Sequence, residues 1–190
     1  MTIRIGILGD IGSGKSYVAK NFGYPVFNAD KEVGKLYNKD KKVYYKLKKA
    51  LPKHINLFPI NKNEITKAIL ANKINLRIII NIVHLEVRKK MNFFLKKNKN
   101  KKIVILDIPL LLENKINKKS DILIFIQSKK SEVLKKLRKR KNFNKKLIEK
   151  FKNIQLSLDL KKKKSHFIIK NNFKKNSVKR DIRYILKKIL

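Results

Sequence analysis

The sequence contains no cysteine and no tryptophan, six glycines, four prolines, and 13 acidic residues against 51 lysines and arginines in 190 positions. Without cysteine, a disulfide framework, a thiolate zinc site and a cysteine nucleophile are all excluded. No apolar run approaches the roughly 18 residues that span a bilayer. The N-terminal apolar stretch is broken by Arg4, Gly6 and Asp10, and no small-residue cleavage pattern follows it, so it does not read as a signal peptide. The expectation is a cytoplasmic protein without a membrane partner. The 43% apolar share is enough to build a core, and the length suits one α/β domain.

The shortage of acidic residues leaves a formal charge of +38, whose first reading is nucleic-acid binding. Its distribution argues otherwise. The first 33 residues carry four cations and three anions, so nearly all the excess lies beyond them. There it spreads through the chain with Asn and Ile, as in Asn98-Lys99-Asn100-Lys101-Lys102, with runs at Lys96–Lys102, Lys135–Lys141 and Lys161–Lys164. A binding footprint concentrates on one face, so this bias reads as compositional drift on solvated faces with no nucleic-acid partner.

Thr2–Leu8 is a β-rich run that stops at Gly9, and Lys15 opens a helical pattern closed by Gly23 and Pro25. Val26 and Phe27 begin a short strand ending at Asn28-Ala29-Asp30, and helical stretches follow with Val33, Leu36 and Tyr37 on one face. Residues 52–62 read as loop, Asn63 and Glu64 as a helix start. A longer amphipathic helix carries Ile80, Val83, Val87, Met91 and Phe94. Ile103–Leu106 and Ile122–Ile126 are continuous apolar runs, the mark of parallel strands buried on both faces. Ser131, Asn144 and Ser177 each read as the start of a further helix, and Phe167–Ile169 as the last strand. The helix after Asn144 carries Leu147, Ile148, Phe151 and Ile154.

Gly9-Asp10-Ile11-Gly12-Ser13-Gly14-Lys15-Ser16 follows a strand and opens a helix, the setting of a phosphate-binding loop. Its glycines let successive backbone N–H groups curl around one anion, and the helix N-terminus adds its dipole. Lys15 can reach the β- and γ-phosphates, and Ser16 can ligate Mg²⁺. Asp107 closes a hydrophobic strand and is the second candidate Mg²⁺ ligand, although a plain strand-end Asp is common. Asp30 is a candidate base for an attacking hydroxyl, or equally a turn residue or N-cap. Arg138 and Arg140 lie in a basic helix end that is either a solvated face or part of a closing segment. His54, His84 and His166 share no metal-ligand spacing. His84 stands one turn from Arg88, a surface or half-buried histidine or a ligand contact.

In this combination the chain resembles the dephospho-coenzyme A kinase family from Ile5 to about Asn171. Gly9–Ser16 is similar to its loop, and Asn28-Ala29-Asp30 to its Asp-Ala-Asp. Asp107–Glu113 is similar to its Pro-Leu-Leu-Phe-Glu string, and His84 to its His-Pro element. Arg140 and Gln155 resemble its lid arginine and following glutamine, and Asn171 the asparagine ending its last strand. The resemblance departs at Asp10, Tyr17, Asn28, Leu85, Leu112, Lys136 and His166.

The resemblance implies a P-loop NTPase-type three-layer α/β/α fold with a parallel sheet in a single domain. Its core spans about 1–35 and 100–190, a helical insertion about 36–95, and a lid about 130–160. It implies ATP and Mg²⁺ bound through Gly9, Gly12, Ser13, Gly14, Lys15, Ser16 and Tyr17, with Ser16 and Asp107 on the metal. It implies dephospho-coenzyme A bound near His84 and Arg88, Asp30 as catalytic base, and Lys15 and Arg140 on the transferred phosphoryl group. Rival readings are a nucleoside monophosphate kinase and, from another class, a basic nucleic-acid-binding nucleotidase.

Overall fold

A computed structural model describes residues 2–140 and 143–190. Lys141 and Asn142, at the end of the basic run Lys135–Lys141 and inside the expected lid, lie outside the described residues. The described chain falls into two compact units.

The first unit comprises residues 1–28, 97–143 and 154–190 and holds a five-stranded, wholly parallel sheet. Its strands are β1 (Ile3–Gly9), β2 (Val26–Asn28), β3 (Ile103–Asp107), β4 (Ile122–Gln127) and β5 (Phe167–Lys170), ordered β2-β3-β1-β4-β5. All five residues of β3 are buried, which is why it reads as an unbroken apolar run in the sequence. Ile5, Ile7, Ile103, Ile105, Ile124, Ile126 and Ile169 form a core with Val18, Ala19 and Phe22 from α1 (Lys15–Asn21). Val178, Ile182 and Ile185 join it from α9 (Lys175–Ile189). Gly6 points to the other face, where a Cβ would meet Leu111 at 2.5 Å and Leu123 at 2.9 Å. The helices α6 (Lys130–Arg138) and α8 (Leu158–Lys163) complete this unit.

The second unit, residues 29–96 and 144–153, is helical. It contains α2 (Ala29–Lys39), α3 (Lys41–Ala50), α4 (Lys62–Ala71), nearly all of α5 (Lys73–Lys97) and α7 (Lys145–Lys152). Asp40 caps α3 by accepting the Val43 N–H at 3.0 Å, and Asn144 caps α7 through the Leu147 N–H at 2.9 Å. Among the described residues no helix is long and apolar enough to cross a membrane.

Several local expectations shift. The strand at β2 stops at Asn28, so Asp30 sits in the first turn of α2 and does not close the strand. Neither Ser131 nor Ser177 caps its helix, because α6 and α9 already begin at Lys130 and Lys175. The Ser177 hydroxyl donates to Asn172 Oδ1 at 2.9 Å, closing the turn that leads into α9. The buried stripe of α5 runs Leu76, Ile79, Val83, Val87 and Met91, leaving Ile80 and Phe94 half-buried. The helix after Asn144 ends at Lys152, short of Ile154, and a separate α8 follows, capped by the Ser157 hydroxyl.

Candidate active site

The loop between β1 and α1 bends through two glycines at φ +85° (Gly12) and +88° (Gly14), angles at which a side chain is strained. Gly14 is the residue before α1, and among the described residues no side chain caps that helix start, whose backbone N–H groups suit an anion. A Cβ at Gly12 would come within 2.8 Å of Leu137, so α6 packs directly against the loop. Lys15 Nζ lies back over the loop, donating to the carbonyls of Gly9 at 3.2 Å and Asp10 at 2.7 Å. The Asp10 carboxylate accepts the Ile11 N–H at 2.7 Å, so this departure from the family's loop braces the turn locally. Tyr17 follows on the exposed side of α1.

Beside the loop, β2 and β3 pair so that Asn28 stands opposite Asp107. The Asn28 side-chain amide donates to Asp107 Oδ2 and, at 3.3 Å, to the Ser16 hydroxyl. Two of the sequence candidates, Ser16 and Asp107, therefore meet through a third residue, Asn28, to which the sequence reading gave no role of its own. Hard oxygen donors from one hydroxyl and one carboxylate suit Mg²⁺, which keeps waters and phosphate oxygens as its other ligands. No cluster of three or more His, Asp or Glu that would cage a metal occurs among the described residues.

The string after Asp107 folds into consecutive turns, with Ile116 N–H on the Leu111 carbonyl at 3.0 Å. It delivers Glu113 to an interior ion pair. Glu113 Oε1 lies 2.8 Å from Lys161 Nζ and accepts the Leu156 N–H at 3.0 Å. Lys161 also donates to Gln155 Oε1 at 2.8 Å. Lys161 is 1% exposed, so the basic run Lys161–Lys164 is not wholly a solvated face. The reason is physical: a buried ammonium persists only beside a compensating carboxylate, and Glu113 supplies it.

Other family-like positions have defined surroundings. Lys136, where a lid arginine is expected, places its ammonium over the Phe173 ring at 5.5 Å. His166, where an aspartate is expected, accepts the Leu123 N–H on Nδ1 at 2.9 Å, as a carboxylate oxygen would. Arg140 is exposed, in a turn where its N–H donates to the Leu137 carbonyl at 3.0 Å. Asp30, His84 and Arg88 belong to the helical unit. Asp30 is exposed and shares the first turn of α2 with Glu32, where the helix dipole favours carboxylates. His84 is half-buried and Arg88 exposed, four residues apart on α5.

Residues 3–177 match the family model described as dephospho-CoA kinase. A dephospho-CoA kinase of Wolbachia pipientis is 32% identical, over 92% of this chain and 91% of its own length. A Thermus thermophilus crystal structure superposes with a TM-score of 0.80 at 22% identity, covering 100% of this chain and 98% of that one. A dephospho-CoA kinase structure from Campylobacter jejuni does so with a TM-score of 0.62 at 21% identity, over 99% and 97%. At these identities the structures speak for the fold alone, a parallel sheet with helices on both faces.

Proposed function

The chain belongs to the dephospho-CoA kinase family, ATP-dependent kinases acting on an alcohol, and from that premise we propose how its residues perform the transfer. The γ-phosphoryl group of ATP passes to the ribose 3′-hydroxyl of dephospho-coenzyme A, giving coenzyme A and ADP. The new bond joins the 3′-oxygen to Pγ, and the bond broken is the one from Pγ to the β,γ-bridging oxygen. The hydroxyl proton goes to the Asp30 carboxylate.

The observation that carries this reading is the junction of the phosphate loop with Asp107 through Asn28. Asp30 follows Asn28 by two residues along the chain, which supports its role as base next to the transferred group. Backbone N–H groups of Gly9–Ser16, continued by Tyr17, receive the ATP phosphates. Lys15 exchanges its carbonyl partners at Gly9 and Asp10 for β- and γ-phosphate oxygens. Ser16 Oγ and Asp107 Oδ2 would hold Mg²⁺, which supplies charge neutralisation across those oxygens when bound. Arg140 offsets charge developing on the transferred group. His84 and Arg88 orient the acceptor, Arg88 by pairing with a phosphate oxygen. The enzyme's partners are ATP and dephospho-coenzyme A, and a cytoplasmic location goes with this reading.

Asp30→Asn tests the assignment. It removes the proton acceptor while keeping shape, so turnover should drop by about 10²–10⁴-fold with ATP affinity within twofold of wild type. Turnover at the wild-type rate would remove Asp30 from the mechanism.

A further inference from the structure

The carbonyl of Ser13, inside the phosphate loop, receives two side-chain donors that no part of the transfer chemistry requires. Ser128, just past the end of β4, donates its hydroxyl at 3.0 Å. Asn171, just past the end of β5, donates its amide Nδ2 at 2.9 Å. Asn171 is itself locked: its N–H donates to the Gln127 carbonyl at 2.8 Å, and its Oδ1 accepts the Phe173 N–H at 2.9 Å. Since Oδ1 is taken by a backbone donor, the amide can present only its NH₂ to Ser13. The side chain is 2% exposed, so water does not compete for the contact.

A trans peptide is planar, and its C=O and the following N–H point in opposite directions. Pinning the Ser13 carbonyl toward the ends of β4 and β5 therefore turns the Gly14 N–H the other way, into the concave side of the loop. The same packing explains why position 14 carries no side chain, because a Cβ there would collide with the Asn171 amide. We propose that Asn171, with Ser128, is a positioning residue for the polyphosphate site. It sets the Ser13–Gly14 peptide so that the loop is organised for the phosphates before ATP arrives. Neither side chain need touch the nucleotide. This rests on the reading of Gly9–Ser16 as the ATP phosphate loop.

Preorganisation of this kind acts on phosphate binding and not on the acceptor. The test uses Ser128→Ala and Asn171→Leu in the full chain, with affinities for Mg·ATP and Mg·tripolyphosphate measured by calorimetry and the KM for dephospho-coenzyme A by turnover. One lost hydrogen bond on the pinned carbonyl should weaken both polyphosphates about fivefold. The acceptor KM should stay within twofold, a split that general destabilisation would not produce.

If ATP weakens while tripolyphosphate does not, Asn171 serves the nucleoside and the proposal is overturned. Unchanged affinity for both ligands in Ser128→Ala overturns it as well, and that variant decides the matter if Asn171→Leu fails to fold. Wild-type protein that binds tripolyphosphate but makes no coenzyme A contradicts the substrate reading alone. Normal coenzyme A synthesis with unaltered tripolyphosphate binding in the variants contradicts this proposal alone.

Discussion

Replacing Lys161 by methionine keeps an unbranched stem one atom shorter and deletes its charge, leaving Glu113 as a buried carboxylate. In the folded protein the two side chains are 1% and 9% exposed, and the pair lies at 2.8 Å. At an effective dielectric of about 20, that separation corresponds to a gross attraction of roughly 6 kcal/mol, much of which is offset by the desolvation of both ions. The single substitution removes the attraction and retains the desolvation of Glu113. Among the described residues only the Leu156 N–H at 3.0 Å then remains on that carboxylate, whose Oε2 already lacks a partner.

The expected loss from Lys161→Met is about 3–5 kcal/mol. For a chain of this size that lowers the Tm by roughly 10 °C. Deleting both charges, as Lys161→Met with Glu113→Leu, should recover most of the loss, since an apolar pair has no ion to desolvate. Urea unfolding of wild type, both single variants and the double variant yields the coupling energy directly. A Lys161→Met protein within about 0.5 kcal/mol of wild type would refute the claim that this lysine is held by a dry ion pair.

Burial pushes the Asp121 carboxyl up, against the pull of the Lys118 N–H and of Arg4. Folding therefore favours its protonated form, so its contribution is greatest below the ordinary carboxylate range and declines as pH rises through the raised value. Thermal melts across that range should show wild type losing stability relative to Asp121→Asn with rising pH, whereas a flat difference contradicts the burial argument. Asn28→Asp sets a second carboxylate against Asp107; the Mg²⁺ concentration for half-maximal activity should fall about fivefold, and an unchanged requirement would separate Asn28 from the metal site. The surplus of lysine should hasten capture of anionic substrates, so raising ionic strength toward 0.15 M should slow ATP association several-fold and leave kcat unchanged in stopped-flow and steady-state runs.

The parallel sheet was legible because its interior strands are buried on both faces and so lack polar positions, as Ile103–Leu106 and Ile122–Ile126 show. The phase of α5 was harder to read. Ile74, Ile78, Ile79, Ile80 and Ile82 put an apolar residue on nearly every side of its first turns, so periodicity found Val83, Val87 and Met91 of the buried stripe but missed Leu76 and Ile79 and took in Ile80 and Phe94. The starts of α6 and α9 were masked for a different reason. Serine is a good cap, yet the backbone had already entered helix at Lys130 and Lys175.

At the site, the glycine-rich loop announced itself because backbone curvature restricts residue type. The pinning of Ser13 did not, because its acceptor is a backbone carbonyl that every residue possesses. Lys161 was hidden within a run of four lysines, and only its separation from solvent by the fold distinguishes it from Lys162, Lys163 and Lys164.

The most direct test of the account is incubation of the purified chain with ATP, Mg²⁺ and one acceptor at a time, followed by mass and position analysis of the product. Dephospho-coenzyme A should gain one phosphoryl group on its ribose 3′-oxygen with one ADP formed per product, while nucleoside monophosphates remain unmodified. Phosphorylation of a nucleoside monophosphate with no coenzyme A formed would contradict it.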